Sequence, residues 1–175
     1  MRAALLAAAA FVAGCGGATH TVTVTRPQPS TTTETSTTPT TTSSPHATVC
    51  DAACATRVVA GHGYRANPST YDPSRPLNVL LGVRTGTTDG TAQNAFFFWQ
   101  GRYIGTDTAD NSAGIRFESA SGDTVTLVYR LYNPQDPQCC STAGQATVRY
   151  RYQGTHLAPL DPLPPSSYSA RGSRR

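Results

Sequence analysis

The chain has 175 residues, a formal net charge of +4 and 14 basic residues, every one an Arg, which leaves room for one small domain and its flanking segments. Arg2 lies in the opening segment and Arg171, Arg174 and Arg175 at the far end, so the stretch between is close to charge balance and offers no basic stripe for a nucleic acid. The absence of Lys, with abundant Ala, Gly and Pro, reads as the codon bias of a GC-rich genome.

Residues 1–14 read as an export signal. Met1 and Arg2 give a charged start, residues 3–12 are apolar, and the small pair Ala13 and Gly14 precedes Cys15, after which the chain turns polar. An apolar run of 10 residues is too short to cross about 30 Å of hydrocarbon, and no later run is longer. Val12-Ala13-Gly14-Cys15 resembles a bacterial lipobox. That resemblance implies a diacylglyceryl thioether on Cys15, removal of the signal, and acylation of the new amino terminus. Two or three acyl chains, at about 0.8 kcal/mol per buried methylene, hold far more firmly than one. The membrane is thus the first expected partner, and the outer face of the cytoplasmic membrane the expected location.

Residues 15–47 read as the lipidated Cys followed by a disordered linker. Between positions 19 and 45, Thr, Ser and Pro fill 21 of 27 positions, and Val22 and Val24 are the only apolar side chains. Such a segment cannot bury enough surface to offset the entropy of ordering it. A coil of this length spans roughly 30 Å and a polyproline-like chain roughly 90 Å, a reach that suits a spacer between membrane and cell wall. The same composition permits O-glycosylation.

Residues 48–165 read as the folded domain. Cys50 to Ala60 forms a short helix pattern stopped by Gly61 and Gly63. Leu77, Val79, Leu81 and Val83 alternate as one face of a strand. Residues 95–99, Ala-Phe-Phe-Phe-Trp, are apolar on both faces and suit a central strand or one covered by the helix. Gln100-Gly101 then turns into a hairpin partner over residues 102–106. Val125, Leu127, Tyr129 and Leu131 make one face of a further strand, as do Ala146, Val148, Tyr150 and Tyr152 of the next. After Gln153-Gly154, residues 156–160 give a last strand at an edge, where Pro159 is tolerated. The expected fold is α+β, a small antiparallel sheet of about five strands with one N-terminal helix packed on it; an all-β sandwich is the alternative. Residues 166–175 read as a disordered polar tail.

In this region the chain resembles the LppP/LprE lipoproteins of high-GC Gram-positive bacteria. The stretches that carry the resemblance are Arg75-Pro76-Leu77-Asn78-Val79-Leu80, the segment from Phe96-Phe97-Phe98-Trp99-Gln100-Gly101 to Arg102-Tyr103-Ile104-Gly105-Thr106, the doublet Cys139-Cys140, and Ala146-Thr147-Val148-Arg149-Tyr150 leading to Leu160-Asp161-Pro162. Together they cover the domain from about residue 60 to 165, in the family's order and behind a lipobox. The resemblance implies an exported, lipid-anchored domain with no established activity. It brings no catalytic residue, and no counterpart for Cys50 and Cys54.

Lipidation uses one of 5 cysteines and leaves an even number, Cys50, Cys54, Cys139 and Cys140, in an oxidising compartment. A bond within the Cys139-Cys140 doublet strains the peptide between them, and a bond four residues apart inside a helix is awkward. The expectation is therefore crossed pairing, Cys50 and Cys54 with the doublet in either order, closing long loops worth about 4–5 kcal/mol each in the entropic model. Neighbour pairing is the remaining connectivity. The sulfurs, with His62, are also a conceivable zinc set, yet structural zinc sites space their cysteines two to four apart, so no metal or other cofactor is expected.

No nucleophile elbow, zinc-protease helix or phosphate loop is present, which argues against an enzyme. The alternatives are an envelope hydrolase using His62 or His156 with a serine such as Ser141, and a lipid carrier, which needs an apolar cavity. Asp107, Asp110, Glu118 and Asp123 are a conceivable Ca²⁺ set, although a polar loop accounts for them as well. The expected role is a non-enzymatic binding or structural module of the cell envelope, its partner a cell-wall glycan or an envelope protein. The candidate ligand surface combines Trp99, Arg102 and Tyr103 of the aromatic hairpin with Arg130, Arg149 and Arg151, beside Tyr132. The competing account makes the aromatics core and the arginines a solvated face.

Overall fold

The computed structural model describes residues 49–175; the signal, Cys15 and the linker lie outside the described residues. The first element, helix α1 (Ala52–Gly61), begins where Asp51 takes an extended conformation and its carboxylate accepts from the Cys54 amide at 2.8 Å. It ends at His62, and Gly63, at φ +82°, supplies the left-handed residue that lets the chain turn back. Ala55 and Val59, four apart on one face of α1, are both fully buried.

Two antiparallel meanders follow. Strands β1 (Tyr64–Ala66), β2 (Leu77–Arg84), β3 (Gln93–Trp99) and β4 (Arg102–Thr106) form the first sheet in that order. Strands β5 (Ile115–Ser121), β6 (Thr124–Arg130), β7 (Gln145–Tyr152) and β8 (Leu157–Pro159) form the second. The β3–β4 turn holds Gln100 and Gly101 at φ +47° and +76°, the pair of positive values that matches the twist of a two-residue hairpin.

Strand β3 sets the layering. On one face Ala95 and Phe97 join Leu77 and Val79 of β2 in a core shared with Val125, Leu127, Val148 and Tyr150 of the second sheet. On the other face Phe96 and Phe98 pack with Leu80 against Ala55 and Val59 of the helix. The result is three layers, helix on sheet on sheet. Gly82 makes the helix side possible, because a Cβ there would stand 2.7 Å from the Phe96 ring and 3.0 Å from Tyr64 Cβ.

The α+β class and the single N-terminal helix are as expected, and helix cover accounts for the doubly apolar β3. The strands form two sheets of four instead of one of about five, adding β1 and β5. The expectation of a disordered tail over residues 166–175 is corrected. Ser173 pairs with Tyr132 through both backbone bonds, Arg174 takes the Ala113 amide at 2.8 Å, and Ser173, Arg174 and Arg175 are all buried. The tail stays because its guanidiniums cap open carbonyls. Arg174 donates to Asp110, Asn111 and Ser112, while Arg175 donates to Asn133 and Asp136 and lies 5.2 and 4.9 Å from the Tyr132 and Tyr168 rings.

Crossed disulfide pairing is also corrected: Cys50 bonds Cys54 and Cys139 bonds Cys140. Cys50 precedes the N-cap and is not in the helix, so the intrahelical constraint does not apply, and the two Cα atoms stand 5.2 Å apart. Cys50 belongs to the helix-side cluster, whereas the doublet is exposed on the loop between β6 and β7, in the other sheet. Non-reducing peptide mapping is expected to recover Cys50–Cys54 within one peptide and Cys139–Cys140 within another. A peptide joining Cys50 or Cys54 to the doublet would contradict the fold.

Candidate functional site

A chain of buried polar groups runs between the sheets. Asp107 extends β4 by one residue: its amide donates to the Ala95 carbonyl at 2.9 Å, and its carboxylate accepts from the Ala95 amide at 2.9 Å. The other carboxylate oxygen accepts from the Tyr129 hydroxyl at 2.7 Å. The Tyr129 proton is thereby used, so the Tyr150 hydroxyl, also 2.7 Å away, donates to Tyr129. Burial raises the Asp107 carboxyl above the usual carboxylate range, against the pull of its hydrogen bonds and the Arg174 charge. Burial likewise raises both phenols, so each keeps its proton at neutral pH. All three groups are raised, yet Tyr129 is 0 % and Tyr150 1 % exposed, so neither phenol can touch a substrate. Their work is to tie one sheet to the other.

The conceivable Ca²⁺ set is dispersed. Asp107 faces inward, Asp110 accepts from Ser166 and approaches Arg174, Glu118 pairs with Arg116, and Asp123 pairs with Arg151. No group of three or more potential metal ligands occurs among the described residues. His62 packs against Phe96 and Tyr103 at 5.7 and 5.0 Å, His156 meets the Thr155 hydroxyl at 3.2 Å, and Ser141 follows the cysteine doublet. Neither histidine is brought to that serine.

The six residues of the candidate ligand surface also separate. Trp99 stacks on Tyr152 with ring centroids 4.5 Å apart, and Tyr103 packs among Phe96, Phe98 and His62. The aromatic hairpin is therefore largely core, with Arg102 exposed at its tip. Arg130, Arg149 and Arg151 do share one face, the outer face of the second sheet, because Arg149 pairs with Thr126, Arg151 with Thr124 and Gln145 with Arg130 across β6 and β7. Tyr132 leaves that face and is buried under Arg175.

Ion pairs divide those arginines. Arg149 grips Asp161 with two guanidinium nitrogens at 2.9 and 2.8 Å and with its backbone amide at 2.9 Å, which fastens the chain leaving β8. These bonds lower the Asp161 carboxyl to about 2. Arg151 is shared between Thr124 and Asp123. Arg130 makes no ion pair or hydrogen bond through its side chain among the described residues, and its stem lies over Gly114, where a Cβ would stand 3.3 Å from Arg130 Cβ.

Arg130 lines an open cleft of about 400 Å³ where the β2–β3 loop meets β5, β6 and β7. Arg116 and Gln145 stand beside it, Asp89 and Gln93 face it from the loop side, and Val128 and Ile115 contribute apolar surface. Hydrogen bonds from Thr91 hold the Asp89 carboxyl below the usual range, so it is ionised at neutral pH. Gln93 fixes the geometry by donating to Gly90 at 2.8 Å and accepting from Ile115 at 2.9 Å. Sequence reasoning missed Arg116, Asp89 and Gln93, whose convergence depends on the two sheets meeting.

The domain is an antiparallel two-sheet fold with its raised acids buried and an open, polar cleft at its surface. Residues 69–155 match the family model described as LppP/LprE lipoprotein, and the chain belongs to this family of envelope lipoproteins. No curated protein and no solved structure matches it.

The raised Asp107 carboxyl gives the domain a distinctive pH response. The unfolded chain loses this proton first, so stability falls as pH rises from the ordinary carboxylate value toward the folded-state value and is level above it, with a limiting slope of about 1.4 kcal/mol per pH unit. Asp107→Asn keeps an acceptor for the Ala95 amide and removes the titration. Urea unfolding between pH 3 and 8 is expected to show that decline in the parent relative to the variant; parallel curves would contradict the buried, raised acid.

Proposed function

We propose that the chain is a lipid-anchored protein of the outer face of the cytoplasmic membrane, and that its domain is a non-enzymatic binding module of the cell envelope. The observation that carries the binding reading is the open cleft around Arg130, on a sheet face that no helix roofs. Anchoring is supported by membership in a lipoprotein family and by Cys15 in its lipobox setting. No helix among the described residues is long and apolar enough to cross a membrane. The placement of His62, His156 and Ser141 favours binding over hydrolysis, since general-base catalysis requires hydrogen-bond reach between base and nucleophile. The filled interior between the sheets likewise favours a surface site over a lipid-carrying cavity. The Thr-rich spacer then sets how far from the membrane the module works.

Fractionation tests anchoring and retention on isolated cell wall tests binding. The parent protein is expected in the membrane fraction with a palmitate label, and Cys15→Ala in the medium without one. The released Cys15→Ala chain is expected to bind isolated wall material. A Cys15→Ala protein that stays in the membrane and still takes the label would contradict lipidation, and a released chain that no wall fraction retains would end the binding reading.

A further inference from the structure

Within the cleft the two signs of charge come from different elements. Arg116 pairs with Val128 across β5 and β6, which places it diagonally from Arg130, a separation of about 7–8 Å or less for such neighbours. Both guanidiniums thus arise from one rigid ladder, with Gln145 directly opposite Arg130 on β7. Arg116 gives Glu118 a single long contact of 3.6 Å on an exposed face, a pairing worth little in water. The donors of Arg130 are uncommitted among the described residues. Across the cleft Asp89 presents an ionised carboxylate whose position is fixed by Thr91, and Gln93 anchors the adjoining turn.

A simple inorganic anion satisfies only half of this arrangement. It would engage the guanidinium fork, which matches an oxyanion in a planar, bidentate manner, but it would be repelled by Asp89. An uncharged sugar satisfies the other half, its hydroxyls donating to Asp89 while the arginines stay unmatched. The group that fits both is a sugar carrying an oxyanion. We propose that this cleft binds an acidic sugar unit of an envelope glycan, its phosphate or carboxylate held by Arg130 and Arg116 and its hydroxyls donating to Asp89. This inference rests on the domain being a binding module and assigns that module its ligand class.

The inference assigns opposite signs to two substitutions. Arg130→Gln removes the oxyanion contact. Asp89→Asn replaces the charged hydroxyl acceptor with a weaker, neutral amide oxygen and removes the repulsion, so it weakens the sugar contact of a sugar phosphate and strengthens bare phosphate. Both residues are exposed, and neither substitution touches the core.

The test is an NMR titration of the ¹⁵N-labelled full chain carrying Cys15→Ala, read at the Gly90 and Gly114 amides, with glucose 6-phosphate, glucuronate, glucose and inorganic phosphate as probes. At least one acidic sugar is expected to give saturable shifts with affinity at least tenfold above glucose and phosphate, and the stronger of the two identifies phosphate or carboxylate as the anion. Arg130→Gln is expected to lower that affinity at least tenfold with the remaining spectrum unchanged. Asp89→Asn is expected to lower it severalfold while raising affinity for phosphate. Absence of saturable shifts, equal binding of phosphate and acidic sugar, or shifts that survive Arg130→Gln would each overturn the acidic-sugar site. Retention on cell wall by a chain that fails this titration would leave the binding module standing with a different ligand.

Discussion

Everything in this domain follows from a strand that is apolar on both sides. Ala95, Phe96, Phe97 and Phe98 of β3 are all at most 1 % exposed, and no single neighbouring layer can cover both faces of a strand. Each buried Phe contributes roughly 1.5–3 kcal/mol of transfer free energy, enough to make an uncovered face decisive in a domain of this size. The second sheet takes the Phe97 side and the helix takes the Phe96 and Phe98 side. Once those covers are placed, the outer face of the second sheet is the one left to solvent, and it carries Thr124, Thr126, Arg130, Arg149 and Arg151. The place where a ligand can be met is thus a consequence of how β3 is buried.

The same core contains a polar chain that apolar burial alone does not call for. An unmatched carboxylate there would cost several kcal/mol, but Asp107 accepts from Ala95, Asn94 and Tyr129, and Tyr150 completes the line. Because Asp107 belongs to the end of β4 while Tyr129 and Tyr150 belong to β6 and β7, sliding one sheet over the other breaks hydrogen bonds as well as apolar contact. The chain therefore fixes the relative register of the sheets, and with it the meeting of the β2–β3 loop and β5 that forms the cleft.

Strands with steady alternation were legible in the sequence. β2, β6 and β7 read correctly because Leu77 and Val79, Val125 and Leu127, and Val148 and Tyr150 keep a period of two. β5 was not legible, since a bulge between Phe117 and Ser119 breaks its period and Glu118, Ser119 and Ser121 make it look like loop. The tail misled for a different reason: Ser173, Arg174 and Arg175 are polar, and only the fold shows that carbonyls and Tyr rings wait to receive them. At the site, Arg130 lies on the exposed face of β6. That Arg149 is committed to Asp161, 12 residues away, while Arg130 is not, depends on where the chain leaving β8 passes. Asp89 and Gln93 acquire meaning only when the first sheet's loop is laid beside the second sheet.

Family membership places the chain among envelope lipoproteins, and the architecture gives that placement physical content: a filled sandwich with a polar cleft where the β2–β3 loop meets β5, β6 and β7. The account stands on β3 being covered on both sides at once, and a NOESY spectrum of the aromatic rings tests this most directly. Cross-peaks are predicted from Phe97 to Tyr150 and from Trp99 to Tyr152, whose centroids lie 5.2 and 4.5 Å apart, together with cross-peaks from the Phe96 and Phe98 rings to the Ala55 and Val59 methyls of the helix. A folded protein showing only one of the two sets would contradict the three-layer arrangement and the open face that depends on it.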